Sequence, residues 1–219
     1  MNKTIAISAL AASLLASFAV HAADTTELTV QGAIKPAACI PTFSGGGVVD
    51  YGVIPASSLP AGQYKKLETR QISMNISCNS VTKIAIRLTD NRASSRIAGI
   101  VSDVRSDAYN YGLGTVNGKN VGGYSLKLGP TTTDRSETIH NFYSWNNGRT
   151  WQPGAFYLQH VDHIFSFGHY DRNYGLQALG FTVLNTTIDV ATTLNKPENL
   201  PLAQDVPLDG SATLEMLYL

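Results

Sequence analysis

The feature that most constrains this chain is an alternation of apolar and polar residues with period two. Ile72, Met74, Ile76 and Cys78 alternate with Ser73, Asn75 and Ser77, while Ile84, Ile86 and Leu88 alternate with Lys83, Ala85 and Arg87. Leu28, Val30 and Ile34 alternate in the same way with Thr29, Gln31 and Lys35. Successive side chains of a strand point to opposite faces, so only an extended backbone gathers these residues on one side. Further extended segments are expected at 124–128, 181–184, 186–191 and 212–219. They are punctuated by Asn117-Gly118, Asn146-Asn147-Gly148 and Leu208-Asp209-Gly210, which are turn formers. No window of about 12 residues carries the i, i+3, i+4, i+7 apolar pattern of a helix. The expectation is an all-β chain, and strands at this spacing suggest a β-sandwich. No repeat, charge run or sharp linker divides it, so residues 23–219 are read as one domain. Residues 129–175 are the least regular and are expected to form an insertion on one end or edge of the sandwich.

The N-terminus reads differently. After Lys3 comes an uncharged apolar run from Ile5 to Val20, and Val20-His21-Ala22 puts small or apolar residues at the positions a signal peptidase reads. The run falls short of the roughly 20 residues that span a bilayer, so 1–22 is expected to be a signal peptide rather than an anchor. No later segment is long and uncharged enough to cross a membrane. Export gives the two cysteines their meaning, because an oxidising compartment pairs Cys39 with Cys78. A redox or metal thiol pair wants much closer spacing. Lys and Arg (16) balance Asp and Glu (16), which leaves no electrostatic case for nucleic acid.

Candidate chemistry is sparse. His160, Asp162, His163, His169 and Asp171 fall within twelve residues of sequence, with His140 upstream. Imidazole and carboxylate suit zinc, copper or nickel. However, His160 and His163 would lie on opposite faces of a strand, and the apolar residues between them suit packing. No metal is therefore assigned to them. A serine hydrolase drawn through Ser166 lacks its Gly-x-Ser-x-Gly elbow. Gly112-Leu-Gly114 lacks the spacing of a nucleotide loop. The aromatic candidates are Trp145 and Trp151, which flank Asn146-Asn147-Gly148 in what reads as a hairpin. Exposed, they would suit carbohydrate or protein recognition; otherwise they cover the end of the core. The chain is read as non-catalytic, without a cofactor.

Several segments carry a resemblance. Residues 28–39 (LTVQGAIKPAAC) resemble the first strand of chaperone-usher pilus subunits, and Val48-Val-Asp-Tyr51-Gly52-Val-Ile54-Pro resembles the stretch that follows it there. Cys78 ends an alternating strand where their disulfide requires it. Gly210-Ser-Ala-Thr-Leu-Glu-Met-Leu-Tyr218-Leu219 resembles the pilin C-terminal strand with its penultimate tyrosine. Over nearly the whole mature chain, Glu27-Leu-Thr-Val, Gly45-Gly-Gly-Val-Val-Asp-Tyr-Gly52, Leu88-Thr-Asp-Asn-Arg92 and Tyr111-Gly-Leu-Gly114 are similar to the GltF-like family of pilin-like periplasmic proteins of uncertain function.

These resemblances imply an immunoglobulin-like sandwich in the periplasm or at the surface of a Gram-negative bacterium, either complete or one strand short. In the pilin case, a periplasmic chaperone and then other pilus subunits would fill the gap by strand addition, in pilus assembly or adhesion. Ala212, Leu214, Met216 and Tyr218 would then form the face of the receiving strand. The GltF case implies a self-complete binding or regulatory protein that does not polymerise. One departure from the pilin pattern stands out. After cleavage only 23–27 precede Leu28, an extension too short and polar to complete a neighbour.

Overall fold

The computed structural model describes residues 26–34, 38–135, 138–154 and 156–219. These fall into two units divided between Lys35 and Pro36. The first, 26–34, holds no strand, and Leu28, Val30 and Ile34 are exposed. The expected signal peptide, 1–22, lies outside the described residues.

The second unit is all-β, with no α-helix among the described residues and only short 3-10 turns. Its principal strands are β1 (Cys39–Phe43), β2 (Arg70–Thr82), β3 (Ile84–Asp90), β4 (Gly122–Leu128), β5 (His140–Ser144), β6 (Ile164–Asp171), β7 (Gly175–Ala178), β8 (Phe181–Leu194) and β9 (Ala212–Tyr218). One sheet runs β1-β2-β8-β4 and ends on Tyr111–Gly112, with Lys65–Lys66 and Thr132–Thr133 also pairing β8. The other runs from Gln152–Pro153 through β5-β6-β3-β9, with β7 pairing β6. Every pairing is antiparallel.

The alternation is what builds the core. Met74 and Ile76 of β2, Ile84, Ile86 and Leu88 of β3, Leu184 and Ile188 of β8, and Phe165 and Phe167 of β6 are buried in one cluster between the sheets. Burying side chains of this size stabilises the fold by about 1.5–3 kcal/mol each, before the entropy of ordering them is counted.

Two expectations are corrected. The alternating residues 28–34 precede the first strand and do not form it; that strand begins at Cys39. Residues 129–175 are no mere insertion, since they supply β5 and the central strand β6. Ile164 to Gly168 is buried throughout, so both faces of β6 are covered there and the period-two signal is erased. The segments expected at 181–184 and 186–191 are one strand, β8.

Candidate functional site

The site with the clearest geometry is the open side of the sandwich. β9 pairs with β3 in unbroken register from Ala212↔Asp90 to Tyr218↔Ile84. No other strand among the described residues pairs with its second edge. Both ends are anchored. The Asn91 side-chain amide donates to Ser211 Oγ at 3.0 Å and Thr213 Oγ1 at 2.9 Å, and the Leu219 N–H donates to the Lys83 carbonyl at 3.1 Å.

Asn91 N–H to Ser211 carbonyl and Leu219 N–H to Lys83 carbonyl fix which residues of β9 exchange bonds with β3. Hydrogen-bonded positions alternate along an antiparallel pair, so 211, 213, 215, 217 and 219 face β3. Ala212, Leu214, Met216 and Tyr218 therefore turn their backbone N–H and C=O toward the free edge. Leu214 and Met216 are half-buried and pack against the core, whereas Ala212 and Tyr218 are exposed. The four candidates thus share one face, and their main-chain groups form one unpaired edge.

Beside that edge lies a cavity of about 290 Å³. Phe43, Ile72, Leu88, Leu126, Ile188 and Leu214 line it, so its walls come from both sheets. Opposite β9 stands β1, the terminal strand of the other sheet. The Cys39–Cys78 disulfide forms between residues directly opposite in the β1–β2 register. The Cys39 N–H donates to the Tyr218 hydroxyl at 3.0 Å, linking β1 to the far end of β9. The segment after β1 contributes Gly47, Val49 and Tyr51 to the cavity wall. The Tyr51 hydroxyl donates to the Val190 carbonyl at 3.1 Å, and burial raises its pKa above the ordinary 10.

The resembling motifs around 88–92 and 111–114 form a knot at the start of β9. Asp90, with a side chain 1% exposed, accepts from the Arg92 N–H at 2.8 Å and the Gly112 N–H at 3.0 Å, with Arg96 at 3.7 Å. Arg92 donates twice to Asp209, each bond 2.9 Å, and this holds the Asp209 carboxyl below its ordinary value of 3.8. Ser95 Oγ accepts from Gly114 N–H at 2.9 Å and donates to the Arg92 carbonyl at 2.8 Å. A side chain at residue 112 would collide with the Arg92 carbonyl, which explains the glycine.

The histidines are dispersed. Buried His160 takes a hydrogen bond from Arg96 at 2.9 Å and meets the Tyr111 ring edge-on. His163 stacks on Tyr143 with centroids 4.7 Å apart, and burial lowers its pKa below 6.5. His169 sits in β6 opposite Gln177, and His140 opposite Gly168. Among the described residues no three His, Cys, Asp or Glu side chains are grouped to hold a metal ion.

The tryptophans part company. Asn147 and Gly148 both have positive φ (55° and 83°), as a two-residue hairpin turn demands, and the Arg149 N–H reaches the Asn146 carbonyl at 3.4 Å. Trp145 is 54% exposed at this hairpin. Trp151 is half-buried, edge-on to Phe142 at 5.0 Å. Sequence reasoning did not find Tyr109 and Tyr157, whose rings meet at 6.2 Å beside the Tyr143–His163 stack. They are distant in sequence and belong to no motif, so only tertiary folding shows that they meet.

Comparison with known proteins finds relatives that match along nearly the full chain. The sequence is 26% identical to the Uncharacterized protein YhcF of Escherichia coli (strain K12), covering 96% of this chain and 97% of that protein. It is 28% identical to Protein GltF of the same organism, covering 100% of this chain and 99% of that protein. Residues 28–142 match the family model described as Protein of unknown function (DUF1120). With more than half of its residues matched, the chain belongs to the DUF1120 family.

Proposed function

We propose that the chain is a non-catalytic protein of the bacterial envelope, exported by residues 1–22 and of the GltF type, whose sandwich accepts an extended strand along β9. One observation carries this reading: the unpaired edge formed by Ala212, Leu214, Met216 and Tyr218 borders an apolar cavity between the sheets. In strand addition, main-chain hydrogen bonds supply affinity while alternate side chains of the donor fill such a cavity. A free edge with an apolar flank is otherwise a hazard for aggregation.

The donor in this reading is a periplasmic chaperone or another pilus subunit. In this reading the chain's own segment to give would be 28–34, which precedes β1 in sequence. Leu28, Val30 and Ile34 fall on one side of an extended segment, with Gly32 between them.

A second reading, a self-complete protein that does not polymerise, draws on two observations. The similarity to Protein GltF extends over the full chain. Val49 and Tyr51 already form part of the cavity wall. The two readings separate in thermal unfolding of the mature, disulfide-bonded protein with a synthetic peptide of residues 26–34. A dose-dependent rise in Tm, lost when Val30 in the peptide is replaced by Asp, supports strand acceptance. A Tm indifferent to the peptide, in a monomer that already melts cooperatively well above body temperature, supports the self-complete protein.

A further inference from the structure

On the face away from β9, the turn before Tyr111, the segment around Tyr157 and strands β5 and β6 enclose a cleft of about 400 Å³. Its floor is the buried ring of Phe165. Around it stand Tyr109, Tyr143, Tyr157 and His163, with Asp103 and Arg105 at the rim. The rings come in two pairs, Tyr109 edge-on to Tyr157 at 6.2 Å and Tyr143 stacked on His163 at 4.7 Å.

The cleft carries hydrogen-bonding capacity left over from folding. Among the described residues, no protein group bonds to the hydroxyls of Tyr109, Tyr143 or Tyr157, and Arg105 has no ion pair or hydrogen bond. Elsewhere in the molecule the Tyr51, Tyr111 and Tyr218 hydroxyls are each engaged with backbone. Burial and the nearby Asp103 raise the Tyr157 pKa, so its phenol remains a donor. Burial likewise keeps His163 neutral at pH 7, with one donor and one acceptor nitrogen.

Half-buried ring faces alternating with unengaged donors and acceptors match a ligand with an apolar C–H face and a rim of hydroxyls. A peptide strand would need a sheet edge, and a purely apolar ligand would leave the half-buried hydroxyls of Tyr109, Tyr143 and Tyr157 unpaired at a cost. We propose that this cleft is a saccharide-binding site, in which a pyranose ring lies against Tyr143 and Tyr109 while Tyr157, Asp103 and Arg105 bond to its hydroxyls. At about 400 Å³ the cavity lies within the size range of small-molecule sites. Trp145, whose ring is 6.0 Å from that of Tyr143, is the nearest fluorescent reporter and extends the aromatic surface beyond the stack. The proposal is independent of strand acceptance, since no residue that lines the cleft also lines the cavity beside β9.

The test is titration of the mature, disulfide-bonded protein, read by tryptophan fluorescence and by saturation-transfer NMR. The saccharides are N,N′-diacetylchitobiose as a cell-wall-type glycan, and lactose and 3′-sialyllactose as animal surface-type glycans. At least one is expected to saturate with Kd of about 10 mM or tighter. Tyr157→Phe, which removes only a hydroxyl, should then weaken binding about fivefold. Tyr143→Ala should weaken it about tenfold or more. Trp151→Phe, packed on Phe142, should leave affinity unchanged. Which saccharide binds separates the two sources. No saturation by any of the three overturns the proposal, as does affinity untouched by Tyr157→Phe in a protein with unaltered Tm. Saturation by tyrosinamide with none by the sugars would make the cleft an aromatic site and equally overturn it.

Discussion

Asp90 is the residue on which most of the local order converges. A carboxylate so enclosed is tolerated because two backbone N–H groups and the Arg96 guanidinium satisfy it. Removing it strands those donors and leaves Arg96 without its carboxylate partner. Asp90→Ala is therefore expected to lower unfolding free energy by about 3 kcal/mol, read from urea midpoints at constant m-value. A loss below about 1 kcal/mol would show that the knot is not structural. The sequence singled out Asp90 and its neighbours only through family resemblance, because nothing in their spacing shows that the 88–92 and 111–114 segments meet.

His163 gives a pH dependence with a definite sign. Its folded pKa lies below the unfolded 6.5 because burial disfavours the charged ring. The unfolded chain thus takes up the proton first. The contribution of the neutral ring is complete above pH 6.5 and is lost as pH falls toward the folded value. The urea midpoint of the wild type should accordingly fall more steeply on acidification through this window than that of His163→Phe, which keeps a ring against Tyr143. Parallel pH profiles for the two proteins would contradict it.

At the scale of elements, the alternation identified β2, β3, β8 and β9, whose polar and apolar faces differ. It failed in two instructive places. At 28–34 it marks a segment suited to a strand, but period two says nothing about whether a partner is present. At β6 a strand central to its sheet is covered on both faces, and the pattern that reveals half-buried strands disappears. The disulfide was legible because only two cysteines are present in the sequence, while its place in the first strand pair required the structure. It closes a separation of 39 residues between β1 and β2. Reduction, or Cys39→Ala with Cys78→Ala, should destabilise the fold by about 4 kcal/mol in the chain-entropy model. Equal denaturant midpoints for the oxidised and reduced protein would show that β1 holds its place without the covalent tie.

For the molecule as a whole, the two sheets bury a continuous core yet leave one side unfinished, between β1 and β9. The face of β9 was readable from Ala212, Leu214, Met216 and Tyr218 alone. The cavity was not, because its walls come from seven separate stretches of chain that only the topology brings together. The saccharide cleft was equally hidden, although Trp145 pointed to its neighbourhood. The cavity beside β9 and the cleft share no lining residue, so the two proposals stand or fall separately.

The central claim is that β9 is bonded on one edge only, and amide hydrogen exchange of the mature protein tests it residue by residue. Thr213, Glu215 and Leu217, whose N–H groups face β3, should be protected to nearly the level of the core strands. Leu214, Met216 and Tyr218 should exchange faster by orders of magnitude and slow markedly when the 26–34 peptide is added. Uniform protection along β9 in the peptide-free monomer would mean that its outer edge is already paired, and would contradict the account.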